Sequence, residues 1–544
     1  MAGGEGCVAV RRSAAVSPVL PGRHEARIVV LLCALAALRV FLFSAAFPFF
    51  NNVDEQAHFD LVRKYARGHL PAGFEPLDSD AVRDMILYGS QEYLVPAGRF
   101  PGGAIPPPVW SLPFDRIRTA FESRVSQGTK DANLESTQPP LYYAVAGLWH
   151  RLGWSLGLRG GQALYWIRFM NVVVCALLVW LAYLFARVLF PADGFLRLGM
   201  PLLVAFLPQD VFYSVNNDVL LPLVGGAALL ALLVLARGQA KGYALHALAG
   251  LLVAAAVLVK LSSVPVVLIA VATAVMIVVR AGAGARRAAL GRGAVLLLAA
   301  AAPLAVWTLR NLFVLGDVTG SAAKVKLLGW SLKPFGAIFD HPLFTPGGAV
   351  TFWHETMTSF WRGEFVWGLE RIASGGWDLL YSISSFVLPA AAVVALVADR
   401  RRRASSERVA LVAGRRRRPG SERAAPVVNR RRRPGGEQAV LWLSLATFLL
   451  SLLFLAGLSL AYDFDGCFYP SRAHPFLTSG RLALAALLPF VALYLRGFEA
   501  LLPRRRAAPF RWTLLITMVA WMTAAEIGLS RAALHSAYNW FHLL

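Results

Sequence analysis

The sequence is short of charge. Only 16% of its 544 residues are Asp, Glu, Lys or Arg, while 57% are hydrophobic. A soluble domain carries about a quarter charged residues, so this composition excludes an ordinary soluble enzyme, and also a disordered chain. Cysteine is scarce: Cys7, Cys33, Cys175 and Cys467 are the full set. Only Cys467 falls in an outer loop of the topology derived below, which excludes a disulfide framework and a cysteine metal site. Acids number 31 against 54 cations, a formal net charge of +23, and only seven of those cations are lysine. No repeat relates the two halves of the chain. A chain both apolar and basic must keep the two properties apart.

What is present in quantity is apolar sequence. Spanning a bilayer takes about 20 apolar residues in a helix, and about eleven runs qualify, at 28–49, 166–190, 195–214, 217–236, 243–260, 261–280, 293–315, 377–398, 438–461, 479–498 and 511–530. Backbone between lipid-exposed spans must lie outside the hydrocarbon, where its polar groups can be satisfied. The expected fold is therefore all-α, a polytopic integral membrane protein with about 11 transmembrane helices. Arg and Lys in short loops set orientation. Arg11, Arg12, Arg23 and Arg27 begin the series. Arg187 and Arg197, Arg237 and Lys241, Arg280 to Arg292, the 400–433 run and Arg504–Arg506 follow. With eleven spans all of these fall on one side, which places the N-terminus in the cytoplasm. The opposite side receives 50–165, a turn at 215–217, 316–376, 462–478 and 531–544. The first span follows nearly thirty residues of tail and is too long for a signal-peptide core, so it reads as a retained anchor.

This gives a cytoplasmic tail at 1–27 and a transmembrane core at 28–320 that includes the outer loop 50–165. A second outer loop follows at 316–376, then C-terminal helices at 377–530 and an outer tail at 531–544. Within the C-terminal helices, residues 399–437 hold fourteen arginines against four acids. They contain a tandem repeat, SERVALVAGRRRRPG then SERAAPVVNRRRRPG. Such a run can attract anionic lipid, but reads first as a duplicated linker reinforcing topology; no nucleic-acid role is expected.

Candidate chemistry collects on the outer face. Asp54 and Glu55 follow the first span directly, and a helix continuing from there puts His58 on the same face as Asp54 at i, i+4. A carboxylate so placed can serve as general base to an acceptor hydroxyl; the plain alternative is an acidic helix N-terminus. Pro139-Pro140 opens a short interfacial helix after Gln138. Asn217 and Asp218 open the fourth span, where an acid can also be a simple cap. Lys260 ends an apolar run, a functional position by default unless it snorkels. Arg310 and Asn311 lie near the outer end of the seventh span, and Arg481 opens the tenth. Cations there can neutralise a departing lipid phosphate while an acid activates the incoming group. No set of metal ligands gathers around Asp54 and His58, so no metal or other cofactor is expected.

These residues recur together in a recognisable order. The phrases VDEQAHFDLVRKYARGHLP, STQPPLYY, FLPQDVFYSVNND and VWTLRNLFVLGDVTG resemble the GT-C superfamily of integral-membrane glycosyltransferases. The branch is the one containing lipid A aminoarabinose transferases and protein O-mannosyltransferases, and the phrases look closest to a group of bacterial membrane proteins within it. The likeness covers 28–320; beyond that only TSGRL and YNWFH echo it. It implies a large first outer loop carrying juxtamembrane helices, a polyprenyl-phosphate sugar donor, and a lipid, polysaccharide or protein acceptor at the outer face of a bacterial inner membrane. By the same resemblance Asp54 is the base with Glu55 beside it, Asp218 the second acid, and Lys260 and Arg310 the phosphate ligands. His58, Gln138, Asn217 and Asn311 support them. Aminoarabinose transferases carry a basic residue before the juxtamembrane proline; Gln138 stands there here, which passes that contact to Arg481 or Arg310. Two other readings compete: a transporter or flippase of lipid-linked saccharide, and a non-catalytic envelope-assembly protein of the same fold.

Overall fold

The computed structural model describes residues 23–50, 54–238, 242–415, 435–467, 469–502 and 508–543. Arg11, Arg12, Lys241, Arg504–Arg506 and most of the second arginine repeat lie outside the described residues.

The chain is built from helices, with two two-stranded ladders as the only sheets among the described residues. α1 (Arg23–Ala46) leads into four helices of the first loop: α2 (Glu55–Ala66), α3 (Ser79–Tyr88), α4 (Phe114–Gly128) and α5 (Leu141–Ser155). The bundle continues with α6 (Gly160–Leu189), α7 (Gly194–Ala205), α8 (Leu221–Ala236), α9 (Tyr243–Val259), α10 (Val264–Val279) and α11 (Arg286–Leu315). The second loop holds α12 (Ala322–Leu327) and α13 (Pro346–Arg362). Then come α14 (Gly375–Arg415), α15 (Gly435–Ala461), α16 (Leu487–Leu501), α17 (Ala508–Leu529) and the single turn α18 (Arg531–Leu534).

Among the described residues nine helices are long and apolar enough to cross a membrane, and two shorter apolar ones, Gly194–Ala205 and Tyr243–Val259, fill the remaining expected positions. The protein is a multi-pass helical membrane protein. α7 corrects the expected span at 195–214. At ~1.5 Å per residue its 12 residues rise only ~18 Å against a hydrocarbon thickness of ~30 Å. The chain then leaves the helix before Pro208 and runs through short 3₁₀ turns at Asp210–Tyr213 and Asn217–Val219. The expected external turn at 215–217 is in fact fully buried. Irregular backbone at such a place must be satisfied by protein, and side chains supply the partners. Asn171 Nδ2 donates to the carbonyls of Phe212 and Ser214 at 3.1 and 2.9 Å, and Val215 N donates to Glu55 at 2.8 Å.

α16 sits at the centre, buried on nearly every side. It packs closely on α14 because Gly497 has no side chain: a Cβ there would fall 2.0 Å from the Leu388 carbonyl oxygen. Small residues allow such backbone approach between membrane helices. The arginine-rich insert is not all linker, since α14 continues helical to Arg415 and α15 begins at Gly435. The C-terminal segment turns back onto the first loop, with Tyr538 OH donating to the Pro106 carbonyl at 2.8 Å and Trp540 Nε1 to Gln162 at 2.9 Å.

Candidate functional site

The acid pair after α1 divides into two roles. Consecutive helical residues point about 100° apart, so Asp54 and Glu55 face different neighbours. Asp54 caps α2 without a side-chain cap bond; its Oδ2 instead accepts from Arg481 Nη2 at 2.9 Å. Glu55 is fully buried and takes a bidentate grip from Arg168, Nε to Oε1 at 2.8 Å and Nη2 to Oε2 at 2.7 Å. Arg168 also donates to the carbonyls of Phe47 and Pro48 at 2.6 and 2.8 Å, and its guanidinium lies 4.0 Å above the Phe49 ring. This pair bolts α2, α6, the 47–48 turn and the 215 segment together. Glu55 is placed to hold the fold of the site, with its oxygens turned to Arg168 and Val215.

The second acid meets two cations. Asp218 is buried in the turn after Asn216, whose side chain accepts from Asp218 N at 2.8 Å. Lys260, at the C-terminal end of α9, turns inward: its Nζ reaches Asp218 Oδ1 at 2.6 Å and Asn217 Oδ1 at 3.1 Å. An inward ion pair is the opposite of snorkelling. Arg481 Nε stands 3.6 Å from Asp218 Oδ2 and 3.9 Å from Glu364 Oε2. Arg481 thus lies among three carboxylates. Gly480 lets it sit there, because a Cβ at 480 would fall 2.2 Å from Phe360 N and 2.4 Å from the Thr356 carbonyl oxygen. Residues brought from the start of α2, the 216–219 turn, the α9–α10 junction and the 3₁₀ turn Gly480–Ala486 before α16 therefore share one place.

The second loop adds residues that the sequence reading did not single out. Lys324, from α12, pairs with buried Glu135. Glu364, just past α13, takes Arg371 at 2.7 Å and the Ser479 hydroxyl at 2.8 Å. Arg371 in turn lies 5.0 Å over the Tyr469 ring. Glu355 accepts from His474 Nε2 and Thr478 Oγ1, both at 2.9 Å. A signal for one of these existed: with only seven lysines in the chain, Lys324 stood out as much as Lys260.

Other expected site residues stand aside. Arg310 donates to the Pro71 carbonyl and to Asn311 Oδ1, and lies 5.2 Å over Trp307. Asn311 is buried beside Gly320. Gln138 is half-buried, and its backbone N donates to the Glu135 carbonyl at 3.0 Å. Among the described residues no three His, Cys, Asp or Glu side chains gather as metal ligands.

Charge shapes the proton affinities here. Burial pushes the Asp54 carboxyl up, but Arg481 and Lys324 outweigh it and hold Asp54 ionised, well below the ordinary carboxylate range. Glu135 is likewise held low by Lys324 against burial, and Lys324 is pushed up by Glu135 and Asp54. His58 bonds Tyr143 OH through Nδ1 at 2.7 Å. Burial pushes its imidazole down to about 4, against the pull of Glu135 and Asp54. An unfolded histidine titrates near ~6.5. Below that pH the unfolded chain takes up a proton that the folded chain refuses until about 4, so stability falls as pH drops through this window. At ~1.4 kcal/mol per unit the loss is roughly 3 kcal/mol. Melting in detergent at pH 7 and pH 4.5 checks this: His58→Gln should flatten the acid-side slope, and an unchanged slope would remove His58 from the account.

No family model matches the chain, and no curated protein matches it. Among solved structures it is similar to the archaeal oligosaccharyltransferase AglB from Archaeoglobus fulgidus, determined in complex with an inhibitory peptide and a dolichol-phosphate. The identity is 12% and the TM-score 0.38, over 94% of this chain and 56% of that one. The chain therefore spans little more than half the length of that protein.

Proposed function

We propose that the chain is a glycosyltransferase that moves a sugar from a polyprenyl-phosphate donor to an acceptor at the outer face of a bacterial plasma membrane, with its N-terminus in the cytoplasm. The observation that supports this reading is the meeting of Asp54, Asp218, Lys260 and Arg481 in one cluster. A catalyst of this reaction needs a carboxylate to take the acceptor proton and fixed cations where the leaving phosphate gathers charge.

In the arrangement described, Asp54 is paired to Arg481, which keeps it ionised and makes it a weak base. A donor phosphate competes with Asp54 for Arg481 and with Asp218 for Lys260. Once Arg481 turns to the phosphate, Asp54 loses its counter-ion and its basicity rises. The acceptor O–H then gives its proton to Asp54 while its oxygen attacks the anomeric carbon. The bond from that carbon to the phosphate oxygen breaks, and the electron pair leaves with the polyprenyl phosphate, whose charge Arg481 and Lys260 neutralise. Attack opposite the leaving group inverts the anomeric centre. Donor binding and base activation are the same event, which guards the donor against hydrolysis before it is seated.

The test uses the full chain in vesicles with undecaprenyl phosphate carrying a radiolabelled sugar, offered to lipid, polysaccharide and peptide acceptors. Label entering one acceptor, with free undecaprenyl phosphate released in equal amount, is the expected result. Donor crossing the bilayer with its glycosidic bond intact would make the chain a transporter. No turnover across the whole panel would make it a silent member of its fold.

A further inference from the structure

Helix α13 belongs, by sequence, to a hydrophilic loop between two spans. Its contacts say otherwise. Arg362, at its C-terminal end, grips Asp378 in the first turn of α14 at 2.6 and 3.0 Å. One turn further along α14, Trp361 stacks on Tyr381 with centroids 5.5 Å apart and donates to Ser385 Oγ at 2.8 Å. Earlier in α13, Trp353 donates to the Ser382 carbonyl at 3.1 Å and meets Phe386 ring edge to face at 5.9 Å. Trp361 and Trp353, eight residues apart on α13, meet nearly the same level of α14, so the two helices cross and α13 lies against positions 381–386.

The depth of that level can be estimated. The apolar part of α14 is closed at its far end by Asp399 and the arginines from 400 on. A hydrocarbon layer ~30 Å thick takes about 20 helical residues, which reaches back from there to about Leu379. Positions 382–387 then lie about 5–12 Å inside the hydrocarbon, counted at ~1.5 Å per residue. A groove of about 430 Å³ opens at this level between Ala349, Val350 and Trp353 of α13 and Ile383, Phe386 and Val387 of α14. Its walls are exposed, with Val350 67% and Phe386 63% accessible. The approach to α13 continues the pattern, since Phe335, Phe339 and Phe344 are 78%, 64% and 59% accessible. Water-facing surfaces rarely gather apolar groups this densely, and the exposed face of α14 that continues the groove is a span's lipid-facing side.

We propose that α13 is a re-entrant helix immersed in the bilayer, and that the groove between its N-terminal half and α14 holds one acyl chain of a membrane phospholipid. The groove is lined by apolar side chains with Ser382 and offers a headgroup no charged partner, and its opening is continuous with the lipid-facing side of a span. This placement does not depend on the reaction proposed above.

Photo-cross-linking tests it in the full chain reconstituted in palmitoyl-oleoyl-phosphatidylcholine vesicles. A benzoylphenylalanine is placed at Val350 and, for comparison, at exposed Glu370 in the hairpin after α13. After illumination, phosphatidylcholine adducts counted by mass spectrometry should be at least about fivefold more abundant at 350 than at 370. Adding Ala349→Trp, which fills the groove, should cut the adduct at 350 at least threefold while leaving the melting temperature in place. Equal adducts at the two positions would overturn the immersion. A strong adduct at 350 that Ala349→Trp does not reduce, or one formed only with a co-purified polyprenyl lipid, would overturn the groove's assignment.

Discussion

Asp54→Asn should lower sugar transfer by about 10²–10⁴-fold, the range that a positioned proton acceptor contributes. The substitution is nearly isosteric. Asn keeps an oxygen for Arg481 Nη2, which now sits 2.9 Å from Asp54 Oδ2, but it cannot take the acceptor's proton. The Asp54 side chain is one-third accessible and contributes no cap bond to α2, so stability should change by less than about 1 kcal/mol, as expected of a partly solvated pair. The informative measurement is therefore a pair: initial transfer rate in vesicles and melting temperature in the same preparation. A large drop in rate at constant melting temperature supports the base. Transfer within threefold of the parent would take Asp54 out of the chemistry and leave it as Arg481's counter-ion. Lys260→Met provides the contrast, since removing a phosphate ligand should raise the KM for the donor as well as lower kcat.

Arg168→Met should have the largest effect on stability, about 3–5 kcal/mol, because it strands a buried carboxylate. Glu55 has no water to turn to: the pair is fully inaccessible on both sides. Methionine fills the stem of the arginine but removes one donor each from the carbonyls of Phe47 and Pro48, which keep only the longer bonds from Tyr165 OH at 3.3 Å and Tyr93 OH at 3.2 Å. Thermal unfolding in detergent should show a much lower melting temperature. The double variant Glu55→Gln with Arg168→Met should regain much of the loss, since a neutral amide tolerates the site better than an unpaired charge. A single Arg168→Met that melts like the parent would show that the bolt between α2 and α6 carries no weight. If Glu55 held only a structural role, Glu55→Gln in folded protein should transfer sugar near the parental rate. A deep loss of rate in well-folded Glu55→Gln would return it to the chemistry.

Much of the architecture was legible in the sequence, because membrane spans announce themselves by composition alone. Places where the reading failed share a cause. At 206–214, inside the expected span, the helix stops before Pro208, and Asn171, about forty residues away in sequence, satisfies the carbonyls of Phe212 and Ser214 there. Periodicity cannot report a partner so remote. The same holds within the site. Asp54, Asp218, Lys260 and Arg481 each had a local explanation as cap, first-turn acid or snorkelling lysine, and only their mutual distances separate those from a cluster. Arg310 had as strong a sequence signal as Arg481, yet it turns to the Pro71 carbonyl. Glu364 and Arg371 left no trace because their loop has neither periodicity nor a motif. The adjacency of Asp54 and Glu55 suggested a matched pair, but one helical step was enough to send one to Arg481 and the other to Arg168.

The closing contacts of this protein also set a timetable for its birth. Asp54 enters the membrane region 427 residues before Arg481, and Arg39 precedes Glu526 by 487. During synthesis these charges wait without their final partners while span after span is laid down. The first loop waits longest, since Ser536, Tyr538 and Trp540 complete its packing against Glu92, Pro106 and Gln162. The cluster of acids and cations is therefore a late product of synthesis, complete only once Arg481 has been made. A chain stalled short of Arg481 would carry the first-loop helices without the cation that joins Asp54 to Asp218.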